Sequence, residues 1–158
     1  MNNECGLSID SPYLLCENGS INIFDRARIL DQKGNTYQLF GAWMTWEEAE
    51  VYCKQNGGHL VCIESEEENN FLSEWLNEEN MYYVSIGYTD RETEDEWVWL
   101  NEEEPTYENW NAGEPNNGLD IYENQNYAYM YKNGTWDDGR NYAKKPFLCE
   151  WENEEKEE

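Results

Sequence analysis

Hydrophobic positions along the chain change their spacing several times, and each change predicts an element. Residues 1 to about 35 show little periodicity, whereas Tyr37, Leu39 and Phe40 read as a strand. Thr45 then opens T-W-E-E, a capping box in which Thr45 caps a helix and Glu48 reaches back to it. Trp46, Ala49, Val51, Tyr52 and Cys53 follow at three-to-four spacing, and Gly57-Gly58 ends the helix. Residues 60–63 read as a short buried strand. Ser65 starts a second capping box closed by Glu68, and Phe71, Leu72, Trp75 and Leu76 share one face of the helix behind it. The acids on that helix, Glu66, Glu67, Glu68 and Glu74, read as a solvated face.

Strands are predicted at residues 83–86 and 96–100. Residues 101–126 form a polar stretch rich in Asn, Glu, Gly and Pro, and structureless loops of that length inside a domain are usually functional or disordered. Clean strand signals return with the alternation of Tyr127, Tyr129 and Tyr131, the turn pair Asn133-Gly134 and a closing strand at 147–151. Two early helices followed by short strands around one long loop predict an α+β fold. The strand-like ends near Tyr37 and Trp151 are expected to pair.

Composition narrows the chemistry. The 158 residues carry 35 acidic against 10 basic side chains, a formal net charge of −25. Mean hydropathy is −1.02, a combination that usually means disorder, but 8 Trp, 12 Tyr and 4 Phe specify an aromatic core instead. Such a charge disfavours nucleic acid and anionic membrane surfaces, which need clustered Lys and Arg. No apolar run is long enough to span a bilayer. His59 is the single histidine, so histidine zinc sites and most acid–base relays lack their usual residue. The start, MNNECGLSID, has no basic and apolar leader, which fits a cytosolic protein or a chain whose leader was removed. Cys5, Cys16, Cys53, Cys62 and Cys149 contain no CxxC pair, and their odd number leaves at least one unpaired. Cys5 and Cys16 flank a Ser-Pro turn, either as a disulfide hairpin or as two free thiols. Cys62 reads as a buried thiol.

Four clusters of oxygen donors lie in or beside the long loop: Asp90 with Glu94, Glu114 to Asn117, Glu123 to Asn126, and Asp137-Asp138. Calcium takes six to eight such hard ligands, and no D-x-D-x-D-G motif marks an EF-hand. The competing reading is a solvated acidic loop. A cis bond before Pro115 would turn the Glu114 and Asn116 side chains the same way.

In this order and spacing, M-T-W-E-E-A-E-V-Y-C (44–53), G-G-H-L-V (57–61), S-I-G-Y-T-D (85–90), N-W (109–110), G-E-P-N-N (113–117), N-G-T-W-D-D (133–138) and F-L-C-E-W (147–151) resemble the C-type lectin-like domain. The resemblance covers about three quarters of the chain and implies a C-type lectin fold: two helices flanking short antiparallel sheets, with a long calcium-binding loop. It divides the chain into an N-terminal arm at 1–35, the domain at 36–152 and a fraying acidic tail at 153–158. It implies a Cys53–Cys149 disulfide, worth about 4 kcal/mol in the chain-entropy model, and hence an extracellular, secreted or cell-surface setting.

The resemblance also implies a site. A calcium ion that touches sugar would take Glu114, Asn116, Gln125, Asp137 and Asp138, with Glu123 the alternative to Gln125. A second calcium would take Asp90, Glu94 and Asn117. The implied function is non-enzymatic: a vicinal diol of a neutral terminal sugar on cell-surface or mucin glycans replaces water on the ion. Glu-Pro-Asn resembles the mannose, fucose and glucose type. Gln125 and Asp137, however, exchange acid and amide in the second ligand pair, so galactose or N-acetylgalactosamine is expected to be accepted. Tyr122 and Trp136 are candidates for stacking on the sugar, with core packing the competing reading for Trp136.

Tyr127 and Asn141 stand where the family's inner disulfide has its cysteines, an omission shared with bacterial-looking members. The loops are then held by metal and packing alone. Partners are expected to be neutral glycans or glycoproteins, engaged multivalently because single sites of this kind are weak, with no nucleic acid and no membrane insertion. The alternatives are a protein-binding domain with structural or no calcium, and a glycosidase using Glu114 and Asp137. A calcium ion held by both carboxylates would stop either from acting as a general acid.

Overall fold

The computed structural model describes residues 34–118 and 124–153, together with the backbone of three short strands ahead of them. Cys5, Cys16, Tyr122, Glu123 and the last five residues lie outside the described residues. In chain order the elements are β1 (Leu14–Leu15), β2 (Ile21–Asn22), β3 (Arg26–Ile29), β4 (Thr36–Thr45), α1 (Trp46–Gln55), β5 (His59–Leu60), α2 (Glu66–Glu78), β6 (Tyr83–Thr89), β7 (Val98–Trp99), β8 (Tyr127–Tyr131), β9 (Trp136–Gly139) and β10 (Lys144–Trp151).

The helix starts follow from side-chain capping. The Thr45 hydroxyl accepts from Glu48 N and the Glu48 carboxylate accepts from Thr45 N, so two orphan donors are satisfied at once. At α2 only half of the expected box forms. The Ser65 hydroxyl accepts from Glu68 N, but the Glu68 carboxylate accepts from Glu64 N and from the Tyr37 hydroxyl instead. Glu68 is therefore not part of the solvated acidic face assigned from sequence; it is buried beneath Tyr37.

The main sheet runs β3-β4-β10-β6-β8-β9, with β5 added to β10 and β7 to β6. It is mixed, because β10 pairs antiparallel with β4 but parallel with β6. The strand-like segments near Tyr37 and Trp151 do pair, Trp151 opposite Thr36 and Glu150 opposite Tyr37. Only part of each strand expected at 60–63 and at 96–100 joins a ladder: of the first Leu60 alone, with His59 ahead of it, forms β5, and of the second Val98 and Trp99 form β7. Val61, Cys62 and Ile63 are fully buried without being a strand. Gly87 on β6 allows this close packing, since a Cβ there would lie 2.5 Å from the Leu60 carbonyl oxygen.

Each helix seals one hydrophobic cluster. α1 contributes Trp46, Ala49 and Cys53 to a group with Phe40, Leu60, Phe147 and Cys149. α2 contributes Leu72, Trp75 and Leu76 to a group with Val84, Ile86, Met130 and Trp136. The Cys53–Cys149 disulfide is formed, with 5.7 Å between its Cα atoms, and staples α1 to β10 across 96 residues. Cys62 is a buried free thiol.

Between β10 and the turn before α2 lies an unusual pair of buried acids, Glu68 and Glu150. Asn35 Nδ2 and Cys62 N donate to the two oxygens of Glu150 at 2.9 and 3.0 Å. Burial pushes the Glu150 carboxyl up to about 8, and the neighbouring Glu68 charge acts in the same direction. The folded state thus keeps a proton that the unfolded chain releases near the ordinary value of 4.5. Stability from this group is complete below that value and is lost as pH rises toward 8. Denaturant unfolding at several pH values should show a decline of up to about 1.4 kcal/mol per pH unit between roughly pH 5 and 8. Glu150→Gln should flatten that decline; an unchanged slope would contradict it.

Candidate functional site

The polar stretch leaves the sheet after β7 and returns at β8; Asn109 and Asn111 hydrogen-bond to the Trp136 backbone, and one buried side chain of β9 holds the 116–117 segment. Asp138, 2% exposed, accepts from Asn116 N through Oδ1 at 3.1 Å and from Asn117 N through Oδ2 at 2.6 Å. β9 can present it because the Asn133-Gly134 turn forms as predicted: Gly134 takes φ +91° and Asn133 Oδ1 accepts from Thr135 N. Trp136 and Asp138 then fall on one side of β9 and Asp137 on the other. Trp136 is fully buried and its indole N–H donates to Asn69 Oδ1. This corrects its candidacy for sugar stacking: no sugar reaches a ring with no exposed surface.

Three of the acids singled out from sequence converge. Carboxylate oxygens of Glu114, Asp137 and Asp138 lie within 4.8 Å of one another. The Glu114–Pro115 bond is cis, and Asn116 Nδ2 donates to Glu114 Oε1 at 2.9 Å. Asn116 Oδ1 accepts from Gly118 N, and Asn117 Oδ1 accepts from Gln125 N. Gln125 packs against Gly118, where a Cβ would come within 3.3 Å of its side chain. Asp137 Oδ2 accepts from the hydroxyls of both Tyr129 and Tyr131 at 3.1 Å each.

A second group lies beyond the end of β6. Asp90, Glu94 and Asp95 bring carboxylate oxygens within 4.8 Å of one another. Asp95 was passed over in the sequence, although it sits beside Glu94 in the acidic run after Asp90; its N–H donates to Asp90 Oδ2 at 3.0 Å. The contacts of Asn117, expected in this group, are with Asp138 and Gln125. Asn141, one of the two residues standing in for the inner disulfide, accepts from Asn126 N through Oδ1 at 2.9 Å. That bond joins the two sides of the loop base where an inner disulfide is missing. Tyr127 fills its side of the gap by stacking on Trp46, 4.3 Å between centroids. The loops are therefore held by specific hydrogen bonds as well as packing.

The electrostatics of both groups are those of acids brought together. Burial pushes the Glu114 carboxyl up to about 7, reinforced by Asp138 and Asp137. Burial also raises Asp90, and burial together with the Asp90 charge raises Glu94. Glu114 Oε2, Asp90 Oδ1 and Asn126 Oδ1 are buried oxygens with no hydrogen-bond donor among the described residues. Such orphaned acceptors are uncommon and call for an explanation. A hard cation ligated by oxygen fits the donor set, because the ligands are carboxylates and amides with no thiol or imidazole among them.

The model of the family described as the Lectin C-type domain matches residues 42–151. Human C-type lectin domain family 17, member A is 34% identical over 118 residues, covering 75% of this chain but 30% of that protein, so the chain spans less than a third of that relative's length. The human scavenger receptor C-type lectin carbohydrate-recognition domain superposes with a TM-score of 0.74 at 27% identity, covering 80% of this chain and 96% of that one. A calcium-independent type II antifreeze protein superposes at 0.69 with 24% identity, covering 80% of this chain and 91% of that one, which shows a shared fold alone.

With its carboxyl raised to about 7, Glu114 favours folding when protonated, and that contribution is lost as pH rises through 7. In EDTA at pH 8, Glu114→Gln should raise the melting temperature by about 2–4 °C, from roughly 1 kcal/mol of relieved desolvation and like-charge repulsion. A lowered melting temperature would contradict the repulsion.

Proposed function

Because the chain belongs to the C-type lectin domain family, we propose that it is a calcium-dependent carbohydrate-binding domain that holds a vicinal diol of a neutral terminal sugar. One observation carries this reading: the convergence of Glu114, Asp137 and Asp138, with Glu114 Oε2 buried and lacking a donor. Glu114, Asn116, Gln125, Asp137 and Asp138 are the proposed ligands of the sugar-contacting ion. Asp90, Glu94 and Asp95 are proposed for a second ion, with Asn117 a further candidate ligand. Calcium, when bound, supplies the positive charge on which two sugar hydroxyls replace water.

The remaining work falls to the side chains. Glu114 and Asp137 can only accept hydrogen bonds, whereas Asn116 and Gln125 can also donate, so their arrangement selects which pair of hydroxyls fits. Asp138 holds the loop that carries Glu114 and Asn116 through its two N–H contacts. Asp137 has one oxygen already engaged by Tyr129 and Tyr131, which orients the other. Acid at 137 and amide at 125 support acceptance of galactose or N-acetylgalactosamine alongside the mannose type. The disulfide supports an extracellular setting. A net charge of −25, of which one or two divalent ions offset only a small part, supports neutral over sialylated or sulfated glycans.

A second reading is a protein-binding domain with structural calcium or none. The observation favouring it is that Asp138 already satisfies both oxygens with loop N–H groups, so the loop closes on protein contacts. The relatives reported above include a fold neighbour described as calcium-independent.

A glycan array in calcium, repeated in EDTA and with free competing sugar, separates the two. Calcium-dependent, sugar-competed binding is expected; binding insensitive to both supports the second reading, and exclusive binding to mannose-type glycans would overturn the galactose assignment. Calorimetric calcium affinity should fall as pH drops from about 7 to 5, because protons compete for the ligand carboxylates. A flat profile would remove the carboxylate site.

A further inference from the structure

Trp43 on β4 is 60% exposed, whereas the other seven tryptophans are buried or half-buried. It is not isolated. Its ring meets Tyr83 edge-on with 6.1 Å between centroids, Tyr83 meets Tyr129 at 6.0 Å, and Tyr129 meets Tyr131 at 5.3 Å. The four rings form one stripe of edge-to-face contacts over β4, β6 and β8, in which Trp43 is exposed and the three tyrosines are half-buried. The stripe begins at the candidate site, since the Tyr129 and Tyr131 hydroxyls both donate to Asp137. Lys145 adds a polar donor along it, with Nζ 4.5 Å from the centre of the Tyr129 ring.

We infer that this aromatic stripe is an extended subsite for an oligosaccharide whose terminal sugar is held beside Asp137 and whose following residues lie over Tyr131, Tyr129, Tyr83 and Trp43. The inference deepens the carbohydrate reading and rests on it. Three features select a neutral glycan chain as the occupant. The stripe is continuous with Asp137, so the first sugar and its successors share one surface. Tyrosine and tryptophan offer an apolar ring with a polar edge, which matches a pyranose with its C–H face and hydroxyl rim. The ring-to-ring steps of 5.3, 6.0 and 6.1 Å are close to the length of one hexose unit, so a short glycan chain leaving Asp137 passes the tyrosines and reaches the exposed Trp43 ring. Charge argues against two other occupants: a polyanion is repelled by a net charge of −25, and a second copy of the chain would set two such charges against each other.

The test is calorimetry in calcium on the wild-type protein and on Trp43→Ala, whose exposed position leaves the core intact. The probes are methyl galactoside, methyl mannoside, and a galactose-terminated and a mannose-terminated tetrasaccharide. The tetrasaccharide of the accepted sugar should bind about tenfold tighter than its methyl glycoside. Trp43→Ala should remove most of that gain while changing methyl glycoside affinity by less than about twofold. Equal tetrasaccharide affinity in the two proteins, or no gain from chain length, overturns the subsite and leaves the terminal-sugar reading intact. Trp43-dependent tetrasaccharide binding that persists in EDTA supports the stripe while removing the calcium reading. A wild type that binds none of the four probes overturns both. A dimer seen by sedimentation that Trp43→Ala abolishes assigns the stripe to a second copy instead.

Discussion

The candidate site depends on the Asp138 carboxylate, which sits nearly out of solvent and accepts two consecutive backbone N–H groups of the long loop. A buried carboxylate is tolerated when donors compensate it, and here the donors belong to the segment that must be positioned. This side chain fixes the 116–117 end of the loop, while Asn109 and Asn111 bond to the Trp136 backbone at its other end. Everything upstream serves its placement: the tight turn at Gly134, the pairing of β9 with β8, and the burial of Trp136 on the same side of the strand. Loosening any of these moves Asp138, and with it Glu114 and Asn116.

Around that anchor the molecule treats its acids in two different ways. The Glu68 and Glu150 pair is internal structure: the oxygens of Glu150 accept from Asn35 and Cys62, and Tyr37 donates to Glu68. The loop acids are left incompletely satisfied, with Glu114 Oε2 and Asp90 Oδ1 buried but lacking donors among the described residues. The same desolvation raises carboxyls in both places, yet the first arrangement is closed and the second is open to a cation. The cluster His59, Cys62 and Glu150 brings together metal-capable groups too. It belongs with the closed kind, because the Glu150 oxygens are already hydrogen-bonded.

Replacing a covalent brace changes how the loops are held. Where the family's inner disulfide is absent, Asn141 accepts from Asn126 and Tyr127 stacks on Trp46, while the Tyr127 hydroxyl donates to Glu47 at 2.5 Å. These contacts connect the loop base to α1 and so to the remaining disulfide. Stability and site geometry are coupled through packing here instead of through a second cross-link.

The sequence by itself determined the helices, the turn and the partners of the ordered core, because those signals are local. Thr45 with Glu48, Asn133 with Gly134, and the apolar spacing of Phe71 to Leu76 act within a few residues. The motif order also carried the family and the Cys53–Cys149 pairing. Tertiary structure alone decided which acids were surface and which were not. Glu68 reads as one of four equivalent helix acids until Tyr37 covers it; Trp136 reads as a possible platform until Asn69 and the core enclose it. Asp95 carries no motif of its own and gains meaning only from Asp90 and Glu94 beside it, and the bond from Asn126 N to Asn141 shows only in the fold. Burial and donor placement arise from segments far apart in the chain, so the net charge of −25 says that acids are abundant, and the fold says which of them are gathered.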